Sequence, residues 1–251
     1  MRFSTRFLCN SLLIAPLLML PGCFHRGANP ADPLEPLNRE VYKFNAALDA
    51  TFLRPPARFY RAVVPRPIRV GVGNAFNNIL TIPTVANDIV QGDINSTMKD
   101  TWRFLINSTF GIAGFFDIAD SHFKIPPHEN DFGLTLAHWG SKNSTYVVIP
   151  VIGPSTVRDG FGRLVDCMTF GSPLGYFFSD ILIMGASAVR YVDLRAQYFE
   201  SEDVLHQSLD QYTFVRGAYL QHRRFLITGE QENVESIYVD ETTETSPKKT
   251  K

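Results

Sequence analysis

The run from Trp102 to Asp120, WRFLINSTFGIAGFFDIAD, restricts the fold more than any other part of this 251-residue chain. It carries no charge between Arg103 and Asp117, and it sets Phe104, Phe110, Phe115 and Phe116 beside Gly111, Ala113 and Gly114. A bilayer-spanning helix needs about 20 apolar residues, and this run is too short and too polar at 107–109. It is also glycine-rich for an ordinary core helix, because each interior Gly costs ~1 kcal/mol relative to Ala. Small residues let helices approach closely, and packing in a lipid setting favours them. Two readings therefore stand: a buried helix–turn–helix in a water-surrounded core, or close helix packing at a membrane.

The first residues bear on that choice. Arg2 and Arg6 form a positive n-region and Leu8 to Leu20 an apolar h-region of signal-peptide length. The segment closes with Leu20-Pro21-Gly22-Cys23. A small residue before the cysteine is what a lipoprotein signal peptidase accepts. Residues 1–22 are thus expected to be removed and the Cys23 thiol to carry diacylglycerol. The alternative is a plain secretory signal with an incidental cysteine. More than one acyl chain on Cys23 would give stable attachment. Residue 24 is Phe, not the Asp that retains bacterial lipoproteins in the inner membrane, which directs the anchor to the outer membrane, facing the periplasm.

Composition fits this address. The formal net charge of −1 gives no reason to propose nucleic acid. Of the three cysteines, Cys9 would leave with the signal and Cys23 would be acylated, so Cys167 is expected to have no intrachain partner. Eighteen of the 20 Phe lie beyond Cys23, against 16 Leu, although Leu is normally among the commonest residues. Such an excess of aromatic surface suits either an aromatic core or contact with acyl chains.

Residues 23–36 read as a lipidated, proline-rich tether. From Leu37 the spacing of Leu37, Val41, Phe44 and Leu48 predicts one apolar helix face, stopped at Arg54-Pro55-Pro56. Pro67 suits a first helical position, with Ile68, Val72, Phe76, Ile79 and Leu80 as the next apolar face. Pro83 is expected to open a further helix through Gln91, with Gly92 as its stop. Asp93 or Asn95 is expected to cap the helix leading into the central run. Asp131 would cap a short helix ending at Gly140, and Thr145–Val151 reads as a strand. Ser155 is expected to cap a helix with Val157, Phe161, Leu164, Val165 and Met168 as its apolar set. Phe170–Ala188 is a second apolar stretch, and a spanning helix there is disfavoured because Asp180 would be costly in a bilayer. Helices are expected around 193–209 and 210–227, and residues 230–251 form a disordered polar tail.

No catalytic motif survives inspection. Gly71-x-Gly73 has Phe76 where a dinucleotide loop has its third glycine, and Gly160-x-Gly162 fails likewise. There is no G-x-S-x-G elbow. His122, His128 and His138, with Glu129 and Asp131, have no helical metal-ligand spacing, so no metal and no cofactor are expected. Without a phosphate-binding loop the chain cannot hydrolyse ATP by that route, and any transport is passive or driven elsewhere.

Several blocks together resemble one family, the MlaA/VacJ outer-membrane lipoproteins. They are DPLEPLNR (32–39), VYKFN (41–45), LRP (53–55), PRPIR (65–69), VGNAFNN (72–78), RFLINSTFGIAGFFDIA (103–119), DFGLTLAHWG (131–140) and GPSTVRDGFGRLVD (153–166), in order behind a lipobox. The resemblance implies a mainly α, multi-helix, ring-like single domain over residues 37–229, with at most a short β-hairpin, lying in a membrane leaflet. It implies retrograde phospholipid transport: lipids mislocalised to the outer leaflet pass through an amphipathic channel toward a periplasmic carrier protein, with a trimeric porin as partner. Phe104, Phe115, Phe116 and Arg190 are the residues expected along the lipid path. The family often has a glycine-rich gating hairpin after HWG. Here Gly140, Ser141, Lys142 and Asn143 occupy it with a single glycine, so either the loop is stiffer or Asn143 supplies the turn. The rival readings are a structural envelope lipoprotein without transport, and a lipid hydrolase using Ser155 or Ser172 with His138.

Overall fold

The computed structural model describes residues 27, 29, 32–171 and 179–229. The expected signal peptide, Cys23, part of the second apolar stretch (172–178) and the tail 230–251 lie outside them. The described chain is mainly α with one two-stranded antiparallel hairpin. In order come α1 (Glu35–Leu48), a π-helical turn (Asp49–Leu53), α2 (Arg54–Val63), α3 (Arg66–Gln91) and α4 (Ile94–Thr109). Then follow α5 (Ile118–Ser121), α6 (Phe132–His138), β1 (Tyr146–Ile149), β2 (Gly153–Thr156), α7 (Val157–Asp166) and a π-helical turn (Cys167–Gly171). The last are α8 (Asp180–Tyr198), α9 (Glu202–Gln207) and α10 (Gln211–Thr228). Among the described residues no helix is both long and apolar enough to cross a membrane.

Prolines interrupt less than the sequence suggests. Pro55-Pro56 do not stop the helix; they fall in the first turn of α2, where a missing amide costs little. The π turn before them widens the backbone, with the Arg54 amide donating to Asp49 O. Pro83 does not open a helix either. It lies inside the 26-residue α3, where Asn87 Nδ2 donates to Pro83 O (3.0 Å) and Thr84 Oγ1 to Leu80 O (3.1 Å). Gly92 does end α3, in the left-handed conformation, and Asp93 caps α4 through Ser96 N.

One cap and one boundary differ from expectation. Ser155 belongs to β2 and is fully buried, so the cap of α7 is Thr156, which accepts from Asp159 N. Residue 193 is not a helix start: α8 already runs through it, and Asp193 faces inward to accept from Tyr60 Oη (3.0 Å) and Gln197 Nε2 (2.8 Å). The expectation that Cys167 has no disulfide partner turns on Cys9 and Cys23, which lie outside the described residues.

The hairpin anchors the small apolar core. Tyr146 and Val148 pack with Tyr212 of α10, against Val41, Tyr42, Tyr219 and Leu220. Asn38 of α1 pairs with β1 as a strand would, donating to Tyr146 O (3.3 Å) and accepting from Val148 N (2.9 Å). Asp32, fully buried, accepts from Tyr212 Oη, Asn38 Nδ2 (3.0 Å) and Arg216 Nη1 (3.3 Å). The packed body therefore begins at Asp32, inside the segment that the sequence reads as tether.

Beyond this core the usual partition is reversed. The buried face of α3 carries Gly71, Gly73, Asn78, Thr81, Thr84, Asn87 and Asp88. Its outer face exposes Ile68, Val70, Ile79, Leu80, Ile82, Ile89 and Val90. On α7, Val157 and Phe161 point outward, as do Ile181, Leu182 and Met184 on α8. The apolar faces that the periodicity predicts are only partly turned inward: Val41 packs on the core, while Phe44, Ile68, Ile79, Leu80 and Phe161 lie on the outside of the body. Contiguous exposed apolar surface of this extent marks contact with a membrane or another protein.

Candidate functional site

The central run folds into the end of α4, a tight turn (110–116) and α5. Three consecutive residues in this turn have left-handed backbone: Ile112 (φ +53°), Ala113 (+55°) and Gly114 (+89°). For a β-branched residue such as Ile112 this is strained, and it persists only where the surroundings over-determine it. They do so here. Gly114 N donates to Asn107 O (2.8 Å), Ala113 N to Ser108 O (3.1 Å) and Phe116 N to Gly111 O (2.9 Å). Below the turn, Asp117 accepts from the buried Arg103 guanidinium and from Asn107 Nδ2 (3.1 Å). Arg103 also donates to Ile125 O (2.6 Å). Burial pushes the Asp117 carboxyl up, but the hydrogen bonds from Arg103 and Asn107 outweigh it and hold the group below the usual carboxylate range.

The glycines make this geometry possible. A Cβ on Gly111 would lie 2.2 Å from Phe116 O, and one on Gly114 would lie 2.4 Å from Asn78 Cβ. Gly71 of α3, unexplained as a nucleotide loop, receives the ring of Phe115: a Cβ there would lie 2.3 Å from Phe115 Cζ. Two residues on, Gly73 lets α8 approach, with Gln197 Nε2 3.2 Å from where its Cβ would be.

An open cleft of about 660 Å³ lies between the turn and the start of α3. Val70, Phe115, Phe116 and Ile118 line it with apolar surface, while Arg66, Asn74, Asp117, Ser121 and His122 bring polar groups to it. Phe115 and Phe116 stand edge to face, 5.1 Å between ring centroids. A mostly apolar wall with a few convergent polar groups suits a small amphiphile with an anionic end.

The expected path residues are thus partly brought together. Phe115 and Phe116 share the cleft, whereas Phe104 is half-buried on α4 and does not line it. Arg190 lies on α8, its guanidinium 5.6 Å from the centroid of Phe76 on α3. Burial lowers its pKa, and the nearby Asp193 charge only partly opposes this. The 140–143 loop stands apart and is tied down. The buried Arg158 donates from Nη1 to Ser141 O (2.9 Å) and Lys142 O (3.0 Å), and its amide donates to Ser144 Oγ (2.9 Å). Gly140 supplies the left-handed residue (φ +113°), and Asn143 is not among the positive-φ positions. Arg66, Asn74 and Asp117 escaped the sequence reading. The visible hint was the arginine-rich stretch 54–69.

The histidine and acid group noted in the sequence does not converge. His122 is at the cleft, Glu129 meets His222 (3.2 Å), and Asp131 pairs with Arg223 (2.6 Å). His128 alone turns to buried carboxylates. Ser155 donates to Thr156 O (3.2 Å) rather than to His138, which is exposed at the end of α6.

Comparison with known proteins fits this architecture. The family model described as MlaA lipoprotein matches residues 30–226. The chain is 34% identical over 227 residues to the intermembrane phospholipid transport system lipoprotein MlaA of Shigella flexneri, covering 87% of this chain and 88% of that protein. It is 29% identical over 230 residues to the protein of the same description from Haemophilus influenzae, covering 89% and 91%. A solved structure described as the structural basis for maintenance of bacterial outer membrane lipid asymmetry superposes with a TM-score of 0.67 at 33% identity. It covers 78% of this chain and 99% of its own. By family model, relatives and fold alike, this chain belongs to the MlaA lipoprotein family.

Proposed function

We propose that this chain is an outer-membrane lipoprotein that passes mislocalised phospholipids from the outer leaflet toward the periplasm, maintaining lipid asymmetry. Residues 1–22 are the signal removed on export, Cys23 carries the acyl anchor, the residues between Cys23 and the packed body at Asp32 are the tether, and 230–251 is a polar tail. The helical body lies as a ring in the inner leaflet, porin-associated, and hands lipid to a soluble periplasmic carrier. The observation that carries this reading is the reversed partition, with apolar helix faces turned outward around a polar interior. That arrangement suits lipid outside and a solvated headgroup path within, because a bare charge in an apolar interior is costly. In the cleft, acyl chains would rest on Phe115 and Phe116, with the phosphate toward Arg66 and His122. Arg190, beside Phe76, is a second cation on the path.

A strain lacking this chain tests the reading. Phospholipid accessible to an added phospholipase at the cell surface should rise, along with sensitivity to detergent plus EDTA, and the wild-type chain should restore both. Unchanged surface phospholipid in that strain would leave a structural lipoprotein without transport. The Cys23→Ala protein should be released by a high-salt wash; full retention would mean that the body inserts without acyl chains.

A further inference from the structure

Away from the cleft, three titratable side chains from three segments converge. Asp88 is at the C-terminal end of α3, Asp100 on α4 and His128 in the loop before α6. One ligand atom from each lies within 4.8 Å of the others. The Asp88 and Asp100 residues are 0% and 1% exposed, whereas the His128 side chain is 44% exposed. His128 Nδ1 lies 2.8 Å from Asp100 Oδ2 and 3.8 Å from Asp88 Oδ1.

The available donors leave one oxygen of this pair of acids unsatisfied. Asn130 Nδ2 donates to Asp88 Oδ1 (2.6 Å), while Asp88 Oδ2, buried, has no hydrogen-bond partner. A buried unpaired carboxylate is costly, and such charges in proteins are generally paired or bound to metal.

We propose that Asp88, Asp100 and His128 form a binding site for one divalent transition cation, Zn2+ in character. A +2 ion neutralises both carboxylates and gives Asp88 Oδ2 a partner. One imidazole with two carboxylates suits Zn2+, whereas Ca2+ takes six to eight oxygens. In a tetrahedral Zn2+ site the ligand atoms lie roughly 3.4 Å apart. His128 Nδ1 lies 2.8 Å from Asp100 Oδ2, and one ligand atom from each of the three residues lies within 4.8 Å of the others, so side-chain rotation that turns Asp88 Oδ2 to the ion would complete the set. The exposed His128 leaves the fourth position open to water and gives the ion its way in. The bound ion would staple α3, α4 and the 122–131 loop together.

The test uses the full-length lipoprotein in detergent, without a histidine tag, stripped by a chelator and dialysed. Adding ZnCl2 should give one Zn2+ per chain by elemental analysis and raise the melting temperature, while Ca2+ and Mg2+ should not. His128→Gln, at the exposed rim, should keep the circular dichroism of the wild type and weaken Zn2+ binding at least as much as the ~10–100-fold that losing an outer-sphere partner costs. Asp100→Asn should do the same if it folds. Absence of stoichiometric Zn2+ in the wild type, equal binding by His128→Gln, or a preference for Ca2+ would each overturn the assignment.

Discussion

Arg103 and Asp117, fourteen residues apart, form the ion pair that closes the strained turn of the central run. Their side chains are 8% and 25% exposed, so neither partner is well solvated alone. Arg103→Met should destabilise the body by about 2–3 kcal/mol, below the ~3–5 kcal/mol of a fully buried pair because water still reaches Asp117. Thermal melting in detergent reads this; an unchanged midpoint would mean that the turn holds itself.

The same pair sets an acid limit. The folded Asp117 pKa lies below the ordinary value, so the unfolded chain binds more protons and stability rises with pH across that interval. The contribution is present above the unfolded pKa of ~3.9 and is lost as pH falls through the folded value. Melting temperature should therefore fall below about pH 4 in the wild type and more shallowly in Asp117→Asn. Parallel profiles would assign the acid sensitivity to other carboxylates.

The turn glycines should be intolerant of any side chain. Gly111→Leu and Gly114→Leu should each cost ~1–3 kcal/mol by overpacking, with added backbone strain at Gly114. Gly71→Ala should act through Phe115, whose ring must leave the site. Gly217, in α10, has open space where a Cβ would stand, so Gly217→Ala should instead stabilise by up to about 1 kcal/mol. A series in which all four behave alike would contradict the close approach at the turn.

The Arg190 guanidinium sits over Phe76, while Asp193 accepts from Tyr60 and Gln197. Arg190→Glu should raise outer-leaflet phospholipid and sensitivity to detergent with EDTA at normal protein level, and Arg190→Lys should retain part of the function. Wild-type barrier behaviour in Arg190→Glu would remove this residue from the lipid path.

The 140–143 loop is pinned by a side chain, not by glycine content. Arg158→Met removes the donors to Ser141 O and Lys142 O and leaves Asp159 with one guanidinium fewer. Trypsin cleavage after Lys142 should accelerate in this variant while the rest of the digest is unchanged. Equal cleavage rates would show that the loop is held by its own backbone.

What was legible in the sequence was local. Asp93 and Asp131 cap their helices because each offers a carboxylate to an amide three residues on, and that chemistry needs no tertiary context. Gly92 stops α3 for a similar reason, and Thr145–Val151 contains β1 because its β-branched and aromatic residues favour a pleated surface. The apolar set on α3 was also legible. Its direction was not, because periodicity says which residues share a face and leaves open whether that face turns to the core or to the surroundings. Only the tertiary structure turned Ile79 and Leu80 outward and brought Asn78 and Thr81 inside. Likewise, no spacing rule unites Asp88, Asp100 and His128, or sets Phe115 on Gly71. These contacts join different segments, and they exist because helix packing overrides the local order of the chain.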